Sequence, residues 1–124
     1  NGGNNITITN NLIGVLFGNI GDDGVDVDGS SDVTISNNRI TDAADAGIEL
    51  RDTNGLEILF NDIFENGNYG LWARGTGNGS IVLAGNTFTD NRVGARFESG
   101  AIDLTDLANP NRFIFTPGFF SDAA

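Results

Sequence analysis

The sequence predicts an all-β solenoid of about four to five coils of 23–25 residues, and two periodic markers carry that prediction. Gly24-Val25-Asp26-Val27, Gly47-Ile48-Glu49-Leu50, Gly70-Leu71-Trp72-Ala73 and Gly94-Ala95-Arg96-Phe97 each set a glycine before alternating apolar positions. The four glycines lie 23, 23 and 24 residues apart. Alternation over so few residues marks a short strand with one buried face. The second marker falls between them, in Ile6-Thr7-Ile8, Val33-Thr34-Ile35, Leu56-Glu57-Ile58 and Ile81-Val82-Leu83. Three residues after each comes an asparagine (Asn11, Asn38, Asn61, Asn86), and two further on an apolar side chain (Ile13, Ile40, Ile63, Phe88).

The coils run over residues 5–31, 32–55, 56–79 and 80–100 of a single domain, with 101–124 as a last rung and cap. Asparagine spacings of 27, 23 and 25 put the slack in the connections, above all in Gly14 to Asp23 of the first coil. Eighteen glycines, abundant Asn, Asp and Thr, and β-branched apolar positions suit strands and tight turns. No amphipathic run is long enough for a helical repeat, so the solenoid is a β-helix. Rungs stack at about 4.8 Å, which turns equivalent positions into ladders. Ile8, Ile35, Ile58 and Leu83 form one apolar ladder, and Val27, Leu50, Ala73 and Phe97 another. Asn11, Asn38, Asn61 and Asn86 form a buried amide ladder whose members bond up, down and to the turn backbone. Gly24, Gly47, Gly70 and Gly94 supply either a backbone angle or a close approach that a Cβ forbids.

Ala101-Ile102-Asp103-Leu104 opens one more rung, but no asparagine falls three residues on, and Pro110 and Pro117 interrupt pairing. Phe113, Phe115, Phe119 and Phe120 then read as an aromatic cap. Asn5-Ile6-Thr7-Ile8 starts directly in register, leaving its rung uncovered. The expectation is the C-terminal part of a longer solenoid, with upstream coils or a head-to-tail neighbour on that end.

A net charge of −11, with six arginines and no lysine, argues against a nucleic-acid surface and against attraction to anionic lipid. No apolar run reaches the roughly 20 residues of a membrane span. Cysteine and histidine are absent.

Asp32-Val33-Thr34-Ile35-Ser36-Asn37-Asn38-Arg39-Ile40, with Ala46-Gly47-Ile48-Glu49-Leu50 after a loop, resembles the repeat of right-handed parallel β-helix proteins of the pectate-lyase-like superfamily. The resemblance covers residues 5 to about 104 and implies the fold; the superfamily holds both polysaccharide-active enzymes and large surface proteins without chemistry. Against polygalacturonases, Asp22-Asp23-Gly24 is similar to their Asn-Thr-Asp-Gly motif. Their paired aspartates fall on Asp45-Ala46, their Gly-His-Gly on Asn68-Tyr69-Gly70, and their Arg-Ile-Lys on Arg96-Phe97-Glu98. One carboxylate, the histidine and the lysine are missing, so pectin hydrolysis is not expected. Any enzyme would be a lyase or epimerase, with Asp26, Asp28 and Glu49 near Arg51 and Arg74 loosely resembling a pectate-lyase calcium site.

Two readings of the outward face stay open. Glu49, Arg51, Tyr69, Trp72, Arg74 and Arg96 form either a solvated mixed-charge surface or a polysaccharide groove, with aromatics stacking on sugars and arginines holding uronates. Asp22, Asp23, Asp26, Asp28 and Asp32 put five carboxylates into eleven residues and make a candidate calcium site, the cofactor expected if there is one. The favoured function is a non-catalytic segment of a secreted or cell-surface bacterial protein, as stalk, adhesin or filament unit. The alternative is a lyase, epimerase or binding module for acidic polysaccharide.

Overall fold

The computed structural model describes residues 2–14 and 21–115. Each turn of the chain lays down three strands. The first gives β1 (Asn4–Thr9), β2 (Leu12–Ile13) and β3 (Val25–Asp28), and the second gives β4 (Ser31–Ser36), β5 (Arg39–Thr41) and β6 (Ala46–Arg51). The third gives β7 (Asn54–Leu59), β8 (Asp62–Phe64) and β9 (Tyr69–Arg74). The fourth gives β10 (Ser80–Ala84), β11 (Thr87–Thr89) and β12 (Val93–Phe97), and the last described strands are β13 (Ala101–Asp103) and β14 (Arg112–Ile114). Strands one turn apart pair in parallel, giving three sheets: β1-β4-β7-β10-β13, β2-β5-β8-β11-β14 and β3-β6-β9-β12.

The register pairs Ile8 with Ile35, Ile35 with Ile58 and Ile58 with Leu83. It also pairs Val27 with Leu50, Leu50 with Ala73 and Ala73 with Phe97. These columns and Ile40, Ile63 and Phe88 of the second sheet meet in one apolar core. Alternation explains the split: in β7, Leu56 and Ile58 are buried while Glu57 between them is exposed.

The corners carry polar ladders. Asn38 and Asn61 each donate backbone N–H and side-chain Nδ2 to the Oδ1 of the next asparagine, at 2.9–3.1 Å. Each Nδ2 also donates to a carbonyl of the previous turn, Asn38 to Ile8 and Asn61 to Ile35. All four hydrogen-bonding capacities of the amide are thus used inside the stack, which offsets its burial.

The ladder continues one rung past the point where the three-residue spacing stops. Asn111 accepts from Asn86 N and Nδ2, and β14 pairs with β11 directly after Pro110. In the fourth turn Asn86 follows Leu83 by three residues, but Asn111 follows Leu104 by seven, so four extra residues at this corner break the spacing rule. Pro110 precedes the strand and needs no ladder N–H. Of the four phenylalanines expected as a cap, Phe113 and Phe115 are described, and Phe113 stacks on Phe88 at 4.9 Å. Phe115 is 58% exposed; Pro117, Phe119 and Phe120 lie outside the described residues, as does most of the slack in the first coil.

For Gly24, Gly47 and Gly70 the choice between angle and approach resolves to approach. None has a positive φ. A Cβ would sit 2.7, 2.7 and 2.5 Å from the carbonyl oxygen of the next glycine in the column.

Candidate functional site

The outer face of the third sheet gathers most of the chemistry-bearing side chains into rows. Asp26, Glu49, Trp72 and Arg96 are in register, as are Asp28, Arg51 and Arg74. Sequence spacing puts Asp22, Asp45, Asn68 and Arg92 in a third row, one strand position before the pair Ala46–Tyr69.

Glu49 is only 4% exposed although it lies on the outward side of β6. Arg51 Nη1 lies 3.8 Å and Arg74 Nη1 3.4 Å from its Oε1, so the two guanidinium groups close over it. Arg51 also bonds Asp28 of the previous rung at 3.2 Å. That bond, and then the charge of Asp28, raises the Arg51 pKa. The shift runs opposite to what a proton-abstracting arginine needs.

Beside this cluster Tyr69 and Trp72 lie with ring centroids 4.6 Å apart. Arg74 stands 5.0 Å from the Trp72 ring and Arg96 6.0 Å from the Tyr69 ring, the latter donating to the Tyr69 hydroxyl at 3.2 Å. Arg96 also pairs with Glu98 at 3.3 Å. The Trp72 Nε1–H is buried without a hydrogen-bond partner. A hollow of about 260 Å³ adjoins the pair, lined by Asn68, Tyr69, Arg92 and Val93.

At the opposite end of the face, Asp22, Asp23 and Asp45 bring carboxylate oxygens within 4.8 Å of one another. Burial pushes the Asp23 pKa up to about 6; the Ala46 N–H it accepts acts against this, and the charges of Glu49, Asp22 and Asp45 add to it. Of the five aspartates read as a calcium site, only Asp22 and Asp23 join this group, and the third member, Asp45, comes from the next rung. Asp28 is turned to Arg51, Asp26 is exposed on β3, and Asp32 sits on β4 of a different sheet, its Oδ1 beside Gly55.

A model of the right-handed beta helix region matches residues 1–115. The chain belongs to the right-handed beta helix family. No curated protein and no solved structure matches it. The family fold supports a structural or carbohydrate-related module in general terms.

Two further corner ladders escaped the sequence reading. Asn66 donates N–H and Nδ2 to Asn91 Oδ1, at 3.1 and 2.9 Å. Thr53 donates N–H and Oγ1–H to Asn78 Oδ1. The first was detectable, because Asn66 and Asn91 each follow a ladder asparagine by five residues. The second mixes Thr, Asn and, at Ser99, a serine accepting from Asn78 N–H, so no single residue type repeats.

Proposed function

We propose that this β-helix is a stiff structural and interaction segment of a secreted or cell-surface bacterial protein, serving as stalk, adhesin or filament unit. One observation carries the reading: Arg51, Arg74 and Arg96, the cations a uronate would need, are all engaged by the protein's own carboxylates. Arg51–Asp28 and Arg74–Glu49 join successive rungs, so the charges act along the stack. Calcium fits the reading as a stabiliser at Asp22, Asp23 and Asp45, where it would offset their mutual repulsion.

The second reading, an acidic-polysaccharide module, is favoured by the Tyr69–Trp72 pair with its unpartnered Nε1–H. Retention on immobilised polygalacturonate or alginate separates the two. The spacer reading expects none. Retention that Trp72→Ala and Arg74→Ala abolish would replace it with the binding module. A thermal transition that calcium leaves unmoved relative to chelator would remove the calcium element alone.

A further inference from the structure

Three Asn–Gly pairs lie wholly within the described residues: Asn54–Gly55, Asn66–Gly67 and Asn78–Gly79. In such a pair the glycine backbone nitrogen can attack the asparagine Cγ, because the glycine has no Cβ to obstruct the approach. The surroundings of each pair decide whether it reacts.

Asn66 and Asn78 are corner-ladder residues, 3% and 8% exposed. Asn66 Nδ2 donates to the Ile40 carbonyl and to Asn91 Oδ1, and its Oδ1 accepts the Ala43 N–H. Asn78 Nδ2 donates to the Arg74 carbonyl, and its Oδ1 accepts from Thr53 N–H and Oγ1–H. The attacking nitrogens are held as well. Gly67 N–H donates to the Ala43 carbonyl at 2.9 Å and Gly79 N–H to the Thr53 carbonyl at 2.7 Å. Ring closure at either pair must break buried bonds to the amide and take the glycine N–H from its acceptor.

Asn54 stands apart from these ladders, exposed at the first position of β7. Its Oδ1 accepts the Ser80 N–H at 2.9 Å. That bond polarises the Cγ carbonyl and can persist through the attack, since the oxygen it holds is the one that takes up negative charge in the tetrahedral intermediate.

We propose that Asn54–Gly55 is a site of spontaneous covalent modification, at which water converts the amide to an acid. Gly55 N gives its proton to hydroxide or water and bonds to Asn54 Cγ. The Cγ–Nδ2 bond breaks, ammonia leaves with a proton taken from water, and a five-membered imide remains. Water opens that ring at one carbonyl or the other, giving aspartate or isoaspartate, with no oxidation or reduction at any step. Aspartate adds a negative charge to a chain already at −11. Isoaspartate routes the backbone through the side-chain methylene at the residue that ties β7 to both neighbours: Asn54 N–H donates to the Ser30 carbonyl at 3.1 Å, and Oδ1 holds Ser80. The change is one-way and loosens the third turn from the second and fourth. The modification is independent of the spacer reading.

The test is to age the folded chain in mildly alkaline buffer and locate amide-to-acid conversion by peptide mapping with mass spectrometry, detecting isoaspartate with an isoaspartyl methyltransferase. Asn54 should convert about ten-fold or more faster than Asn66 and Asn78, whose buried bonds must first break. In urea the three rates should converge, because the unfolded pairs share one chemistry. Conversion of Asn66 or Asn78 as fast as Asn54 in the folded chain overturns the proposal, as does an unchanged Asn54 under conditions where the unfolded chain converts. The isoaspartate fraction, separated by ion exchange, should melt below the fresh protein; an unmoved transition overturns the stated loosening.

Discussion

Asp23→Asn tests the electrostatics of the acidic end. In the folded chain the Asp23 carboxyl titrates near 6, against 3.8 ordinarily, first because burial disfavours its charge and then because Glu49, Asp22 and Asp45 repel it. Between these values the folded state holds a proton that the unfolded chain has released. Stability from this group is therefore fully present below about pH 3.8, is lost as pH rises to about 6, and stays lost above it. The full displacement would correspond to about 3 kcal/mol. Asp23 is only half-buried and solvent screens it, so about 1 kcal/mol is the expected effect. Asparagine keeps an Oδ1 to accept the Ala46 N–H and removes the charge. The variant should be about 1 kcal/mol more stable than the parent at pH 8 and indistinguishable from it near pH 3.5, by urea unfolding at low salt with m-values compared. Added salt should shrink the gain at pH 8. A loss of stability at pH 8, or an equal gain at both pH values, would refute the account.

Four other substitutions probe the stack itself. Asn61→Ala strands Asn38 N–H and Nδ2 and the Ile35 carbonyl in a buried corner, and should cost about 3 kcal/mol in urea unfolding. Gly47→Ala drives a Cβ against the Gly70 carbonyl and should cost about 2–3 kcal/mol. Gly75→Ala is the contrasting case, since open space surrounds that Cβ and only the cost of φ +81 remains, about 1 kcal/mol. Glu65 holds φ 55 at an exposed corner, in step with Asp42 and Asp90. Glu65→Asn relieves both the backbone cost and a like charge and should raise stability by about 1 kcal/mol, read as an upward shift of the thermal transition.

The strands were legible because stacking imposes one requirement on every rung. Ile8, Ile35, Ile58 and Leu83 face the same interior, so the same residue class must recur, and recurrence shows in a single sequence. The amide ladder was legible for the same reason up to Asn86. It was lost at Asn111 because four added residues shifted the spacing while leaving the stacked position unchanged. Corner conformation is another feature that pattern alone hides. Among the described residues nine non-glycine positions hold positive φ, including Asn10, Asn37 and Phe60 at equivalent corners. Asparagine there is readable as a left-handed residue, and phenylalanine is not.

The outward face obeys a different rule, which is why its roles could not be read from the rows alone. An inward position must match the residue above and below it, but an outward one needs only to avoid repelling them. The third sheet shows three solutions. Arg51 alternates in sign with Asp28; Trp72 stands between Glu49 and Arg96 and packs on Tyr69; and Asp22, Asp23 and Asp45 leave like charges together. The first two stabilise the stack, while the third costs stability unless a proton or a cation enters. Glu49 shows how far this pairing extends: it is a carboxylate on the solvent side of a sheet, yet 4% exposed, because two arginines from its own and the next rung cover it. A groove built to hold an external acid would keep those guanidinium groups free. Their engagement here is the physical ground for treating the face as a device that joins rungs.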